Sequence, residues 1–442
     1  MSPVPRSIVP LAAPFRWSIT PPGSKSLTNR YLLLAALAEG RSVLHRPLQA
    51  DDTEVMVAAL RQLGVAIETV EQHGGWESIQ IIGNGGHLRG GGTLDLHNAG
   101  TAVRFLTAAC TLADAPVVID GNTRMRQRPI SELVDLLRSI GATVEYVERE
   151  GGLPLCVHPG TRSGGEVPVG ATLSSQFVSA LLMLGLHLRQ GLSLRATGAL
   201  TSPGYVAMTL GCMDRFGATI QATPALDRID VSPGRYTGVD LTIEPDASSA
   251  TYFLAAAAVS PGSVCTIEGL GKGSLQPDVR FVDALNEMGA GVTFGRDFLT
   301  VIGAAEGLRG IDTDCHLMPD AAMTLAVVAA LAQGETVLRG LATLRHKETD
   351  RLTALQTELT KLGATVEIED DELLVIEPAP DARQRSDEVC IQTYDDHRMA
   401  MAFSIAGLVR RGIRIANPGC VGKTYPAYWV EFERMRGSGV AP

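Results

Sequence analysis

The chain has 442 residues, a net charge of −10 and 45% hydrophobic residues. That length exceeds what one hydrophobic core usually serves, so two domains are expected, and the acidic balance excludes a global basic footprint for nucleic acid. The seven cysteines are dispersed with no C-x-x-C pair, which argues against a disulfide framework and against a cysteine zinc site.

In chain order, M-S-P-V-P-R-S-I-V-P-L is broken by prolines and lacks the apolar run of a signal peptide, so a cytoplasmic location is expected. P-P-G-S-K-S-L-T-N-R (21 to 30) then opens an apolar helix near Ser24, with Lys25 and Arg30 in its first turns. A helix N-terminus already carries partial positive charge, so cations placed there imply an anionic ligand. G-S-K-S is not a Walker A loop, because the Gly-Lys adjacency and the upstream glycine are missing. L-R-Q-L-G-V-A-I predicts a helix ended by Gly64 as a left-handed cap, followed by an alternating strand.

The same two signals then return. Apolar helices are predicted to start near Thr101 (N-A-G-T-A-V-R-F), Ser174 (S-S-Q-F-V-S-A-L), Ser248 (D-A-S-S-A-T-Y-F), Asp320 (P-D-A-A-M-T-L-A) and Asp396 (D-H-R-M-A-M-A-F). Ser, Thr and Asp are the usual caps of such helices. The helix-glycine-strand phrase recurs at Gly141, Gly217, Gly289 and Gly363, with a degenerate sixth at Gly437, at spacings of 72 to 77 residues. A period this long predicts six compact α/β units, three to a domain, with the apolar helices buried at the centre of each. The longest apolar runs, such as Y-F-L-A-A-A-A-V (252 to 259), fall short of the ~20 residues of a membrane span.

Capping explains the Ser, Thr and Asp residues but not the polar groups beside them: Lys25, Arg30, Asn98, Arg104, Gln176, His397 and Arg398. Recurring at equivalent points of a repeat, they predict helix N-termini converging on a shared anion. Outside those helices, G-N-T-R-M-R-Q-R-P-I (121 to 130) is expected to be extended, with Arg124, Arg126 and Arg128 on one face. In H-K-E-T-D-R-L, Lys347 and Arg351 are four apart and share a helix face; Glu348 and Asp350 can neutralise them, so an ordinary solvated face is an equal alternative. Lys423 in G-K-T-Y-P is by itself a weak signal.

Taken together, P-G-S-K-S-L-T-N-R, N-A-G-T-A-V-R, R-M-R-Q-R-P-I, S-S-Q-F, D-A-S-S-A, P-D-A-A-M-T, K-E-T-D-R and D-D-H-R-M-A-M resemble, in order and from about residue 17 to about 430, the 5-enolpyruvylshikimate-3-phosphate synthase family. The resemblance implies an α/β fold of two similar domains, each of three βαβαββ repeats around buried parallel helices. Residues 24–243 would form one domain and residues 1–23 with 244–442 the other, with the active site in the cleft between them. It also implies transfer of the enolpyruvyl group of phosphoenolpyruvate to the 5-hydroxyl of shikimate 3-phosphate, and inhibition by glyphosate at the phosphoenolpyruvate site. Two substrates that each carry a phosphate and a carboxylate would account for the clustered cations.

By the same resemblance, Ser26 and Arg30 would hold the carboxylate of shikimate 3-phosphate, and Ser174, Ser175 and Ser202 its phosphate. Gln176, Tyr205, Thr343, Lys347, Lys25 and Asp320 would complete its pocket. Arg351 and Arg398 would hold the phosphoenolpyruvate carboxylate, and Lys25, Arg124, Gln176, Lys423 and the backbone amide of Gly100 its phosphate. Asp320 would be the base and Glu348 the acid, with Lys25 near both reacting oxygens. No metal or organic cofactor is implied, the partners are small molecules only, and a monomer is expected. Two positions depart from the commonest family pattern: Thr343, where many members have Asn, and Phe105, where many have Pro. Two alternatives are an enolpyruvyl transferase acting on UDP-N-acetylglucosamine and a non-catalytic phosphate-binding protein of the same fold. The first should lack the S-S-Q and K-E-T-D-R motifs together, and the second should have lost Asp320, Glu348 or Lys25.

Overall fold

The computed structural model describes residues 4–71, 77–160, 162–170, 173–370 and 373–439. Six small sheets and a set of buried helices make up an α/β fold. The chain divides into two compact units, Gly23–Glu244 and Met1–Pro22 with Pro245–Pro442.

One strand pattern recurs. Gly92–Asp95 pairs parallel with Val117–Asp120, which pairs antiparallel with Leu155–His158, and Thr143–Tyr146 closes the far edge antiparallel. Four other sheets repeat the same order of one parallel and two antiparallel pairings. The sixth sheet holds three strands, Val389–Ile391, Ile413–Ile415 and, from the other end of the chain, Arg6–Ser7. Two strands trade places between repeats. Arg16–Ile19, which precedes the Lys25 helix, pairs with Val264–Glu268, whereas Asp240–Thr242, which precedes the Ala247 helix, pairs with Glu39–His45. This exchange puts the residues before Gly23 in the same unit as the C-terminal half.

The helix-ending glycines explain the repeat in local terms. Gly64, Gly141, Gly217, Gly289 and Gly363 all have φ between 82° and 104°, a conformation open to glycine at little steric cost. Gly437 differs: it is the last residue of the Tyr428–Gly437 helix, and no strand follows among the described residues.

Six helices begin where the apolar runs begin: Lys25–Leu37, Gly100–Ala109 and Ser175–Leu184 in one unit, and Ala247–Ala258, Pro319–Ala329 and His397–Val409 in the other. Every residue from Leu27 to Leu37 is buried, and the helices of each unit pack on one another. Ser24, Ser174 and Asp396 cap their helices through the side chain, as expected. The other three caps lie elsewhere: Ala99, Asp246 and Met318 hold the cap positions. Thr101, Ser248 and Asp320 therefore sit inside the first turn, and their side chains reach sideways, to Gln176, Asp278 and two arginines respectively. Among the described residues, no helix is long and apolar enough to cross a membrane.

Candidate active site

In each unit, residues that the sequence reading singled out gather at the N-terminal ends of buried helices. In the Gly23–Glu244 unit, Lys25 is the first residue of its helix, and its Nζ lies 3.3 Å from the Asp52 carboxylate. Ser26 follows in the same turn, and its carbonyl accepts a bond from Arg30 Nη1 at 3.0 Å. Arg30 is buried, and its other bonds go to the Thr209 and Ser179 hydroxyls at 2.8 and 3.3 Å and to the Tyr205 carbonyl at 3.3 Å. Its guanidinium also lies 5.3 Å from the centre of the Phe105 ring. Burial pulls the Arg30 guanidinium below its ordinary value. Four of its five N–H donors are thus bonded within the protein, which makes Arg30 first of all a brace across three helices. Phe105, the departure noted above, supplies the aromatic face of that brace.

Around the Gly100 helix, Gln176 Nε2 donates to Thr101 Oγ1 at 3.3 Å, which joins two helix N-termini. Ser174 accepts from the Gln176 amide at 3.2 Å, and Ser175 is the first residue of that helix. Ser202 caps the Pro203–Arg215 helix in a left-handed conformation, φ 46°, without a side-chain capping bond, and Tyr205 follows in the first turn. Arg104 is turned inward, donating to the Gly100 carbonyl at 3.1 Å and the Pro129 carbonyl at 2.9 Å.

The arginine-rich stretch corrects a sequence expectation. Thr123–Gln127 is a short helix, not an extended segment, because Asn122 caps it by accepting from the Met125 amide at 3.0 Å. Helical turning takes Arg126 to a different side from Arg124, and the chain leaves the helix in an extended conformation at Arg128. Arg126 pairs with Asp120 and Glu148 at 2.6 and 3.0 Å, whereas Arg128 is buried against Gly100, with its Nη1 3.4 Å from Asn98 Oδ1. Arg124, half-buried, is the second residue of the short helix.

In the other unit, Arg351 is 1% exposed and lies among three carboxylates. Its Nε and Nη2 make a fork onto Asp396 at 2.7 and 3.2 Å, its Nη1 reaches Asp320 at 3.0 Å, and its Nη2 reaches Glu348 at 2.9 Å. Burial alone would lower the Arg351 guanidinium, but the charges of Asp396, Glu348 and Asp320 outweigh it, and the group lies above its ordinary value. Arg398 Nη2 donates to the second oxygen of Asp320 at 2.9 Å, and Lys347 Nζ lies 3.6 Å from the first. The Tyr252 hydroxyl lies 3.4 Å from Arg398 Nη1, and burial pushes it up to about 12, so it stays a neutral phenol. Three cations face three carboxylates, and one carboxylate, Asp320, collects charge from all three cations.

Two further residues of the sequence reading lie on turns of the same unit. Thr343 lies in the Ala342–His346 turn, and its Oγ1 is buried with no hydrogen-bond partner among the described residues. Lys423 ends the Pro418–Lys423 turn, which packs on the His397–Val409 helix. Among the described residues, no three His, Cys, Asp or Glu side chains are grouped to hold a metal ion. Sequence reasoning missed Asp52 and Asp396 as partners of Lys25 and Arg351. The available signal was the doubled acid in D-D-T and D-D-H-R, next to motifs otherwise rich in cations.

The family model for EPSP synthase (3-phosphoshikimate 1-carboxyvinyltransferase) matches residues 12–432. The chain belongs to this family. A 3-phosphoshikimate 1-carboxyvinyltransferase of Nitrosomonas europaea is 45% identical, with 93% of this chain and 94% of the relative covered. One of Shewanella denitrificans is 42% identical, with 94% and 95% covered. A solved EPSP synthase structure from Acinetobacter baumannii matches 98% of each chain with a TM-score of 0.80 at 26% identity. The EPSP synthase family works on two small molecules, shikimate 3-phosphate and phosphoenolpyruvate.

Proposed function

We propose that this chain transfers the enolpyruvyl group of phosphoenolpyruvate to the 5-hydroxyl of shikimate 3-phosphate and releases phosphate. The observation that carries this reading is the convergence of Arg351 and Arg398 on the two oxygens of one carboxylate, Asp320, at 3.0 and 2.9 Å. Guanidinium forks suit carboxylates, and a substrate carboxylate can take up the donors that Asp320 now holds. In that exchange Asp320 is released to accept the proton of the 5-hydroxyl. Glu348 loses part of its ion pair with Arg351 and can then carry a proton to the methylene carbon. A bond forms between the hydroxyl oxygen and C2 of phosphoenolpyruvate; then the methyl carbon loses a proton, the bond from C2 to the phosphate oxygen breaks, and phosphate leaves. Lys25, Arg124, Lys423, Gln176 and the Gly100 amide are assigned to the phosphate of phosphoenolpyruvate.

Ser26, Arg30, Ser174, Ser175, Gln176, Ser202, Tyr205, Thr343 and Lys347 are assigned to shikimate 3-phosphate. Arg30 would offer it the one N–H not already held by protein. The reading requires both units to deliver their residues to one pair of substrates. It places the enzyme in the cytoplasm as a monomer acting on free metabolites, in keeping with its acidic net charge of −10. The test is release of inorganic phosphate with both substrates present and none with either alone. Release with UDP-N-acetylglucosamine in place of shikimate 3-phosphate, and not with shikimate 3-phosphate itself, overturns the reading.

A prediction on glyphosate follows from the Gly100 mouth. A Cβ at residue 100 would lie 2.7 Å from both terminal nitrogens of Arg128, so the guanidinium must shift from its place against Gly100 and disturb the mouth of that helix. Gly100→Ala is therefore expected to weaken inhibition by glyphosate more than it weakens use of the shorter phosphoenolpyruvate. Inhibition curves at fixed phosphoenolpyruvate check it, and equal inhibition of wild type and variant would contradict the placement of this loop.

A further inference from the structure

Glu358 is a fully buried carboxylate that no step above uses: it is 0% exposed. It lies on the Arg351–Lys361 helix seven residues after Arg351, two turns along the same face. Its Oε2 accepts from the Gln392 amide at 3.0 Å, and its Oε1 accepts from the Tyr394 hydroxyl at 2.7 Å. Lys361 neutralises it at 2.6 Å and also reaches the Cys390 carbonyl at 3.4 Å. The helix thus grips the 390–396 segment twice, through Glu358 and Lys361 at one end and through Arg351 and Asp396 at the other.

Between those grips the backbone is strained. Tyr394 and Asp395 have φ of 53° and 57°, two successive non-glycine residues in the left-handed region. Such conformations persist where surrounding contacts over-determine them, and they concentrate at functional sites. The turn ends with the Asp396 amide donating to the Thr393 carbonyl at 2.8 Å. Asp396 in turn forks onto Arg351 and accepts from the Arg398 amide at 2.9 Å, so its position sets that of both arginines.

We propose that Glu358 is a positioning residue for phosphoenolpyruvate: its buried carboxylate fixes the turn at Tyr394 and Asp395, and through that turn the Asp396 carboxylate that aims Arg351 and Arg398. This rests on the assignment of those two arginines to the substrate carboxylate. A purely structural anchor would give a different result on substitution, lowering thermal stability and the active fraction while leaving the KM values of the surviving enzyme unchanged.

The experiment measures kcat and both KM values for Glu358→Ala, Glu358→Gln, Tyr394→Phe and, in parallel, Arg398→Lys. Glu358→Ala is expected to raise the phosphoenolpyruvate KM about tenfold with the shikimate 3-phosphate KM within about twofold. Glu358→Gln, whose amide can still accept from Gln392 N, should fall between Ala and wild type. Tyr394→Phe, which removes one bond from a partly exposed side chain, should give a rise of about threefold. If Glu358→Ala does not fold, Glu358→Gln and Tyr394→Phe decide the matter. An unchanged phosphoenolpyruvate KM in the Glu358 and Tyr394 variants, or an equal rise in both KM values, overturns the positioning role while a raised KM in Arg398→Lys keeps the carboxylate assignment. An unchanged phosphoenolpyruvate KM in Arg398→Lys removes the assignment, and this inference with it.

Discussion

Glu348→Gln is expected to lower kcat by about 10²- to 10⁴-fold, the usual effect of losing a general acid, with both KM values within about threefold of wild type. The geometry favours a clean result. Glu348 Oε2 accepts from Arg351 Nη2 at 2.9 Å, and a glutamine carbonyl can accept the same bond in the same volume. What the amide cannot supply is the carboxyl proton that the methylene carbon must receive. The limb of the pH profile that reports deprotonation of the acid should vanish with it. A kcat within about twofold of wild type would reject Glu348 as the proton donor.

Asp396→Ala is expected to destabilise the protein by about 3–5 kcal/mol, because it leaves the buried Arg351 guanidinium without its forked partner. About 1 kcal/mol more follows from loss of the helix cap, since Asp396 accepts from the Arg398 amide at the start of the His397–Val409 helix. For a unit of this size the melting temperature should fall by about 10 °C. Asp396→Asn keeps the cap acceptor and the shape but not the charge, so its melting point should lie between those of Asp396→Ala and wild type. Thermal melts of the three proteins check this. A melting point for Asp396→Ala within about 2 °C of wild type would mean that Arg351 is held by Asp320 and Glu348 alone.

The second effect arises from an ion pair that no spacing rule in the sequence reveals, Arg351 with Asp396. K-E-T-D-R read alone left a solvated face as open as a binding face, since Glu348 and Asp350 were near enough to neutralise Lys347 and Arg351. In the fold, Asp350 instead caps the next helix by accepting from the Thr353 amide at 3.2 Å and pairs with Arg345 at 2.7 Å. Glu348 pairs with Arg351, whose fork goes to Asp396, 45 residues away. R-M-R-Q-R was misread for a related reason. Alternation puts Arg124, Arg126 and Arg128 on one face only if the backbone is extended, and the Asn122 cap makes it helical.

What the amino-acid sequence determined by itself was the repeat. Left-handed glycine caps and largely apolar helices are local devices, set by the lack of a Cβ at Gly64, Gly141, Gly217, Gly289 and Gly363 and by side chains that must leave water. The family motifs likewise lie within short stretches, so they could be read without knowing what they touch. Tertiary structure alone decided the long-range matches. Strand Arg16–Ile19 pairs with Val264–Glu268 although an uninterrupted repeat would pair it with Glu39–His45, and Arg30 became a brace once Thr209, 179 residues away, met it in the core. Hydrogen bonds and ion pairs depend on distance in space, and a buried charge takes whichever partner packing brings within about 3 Å.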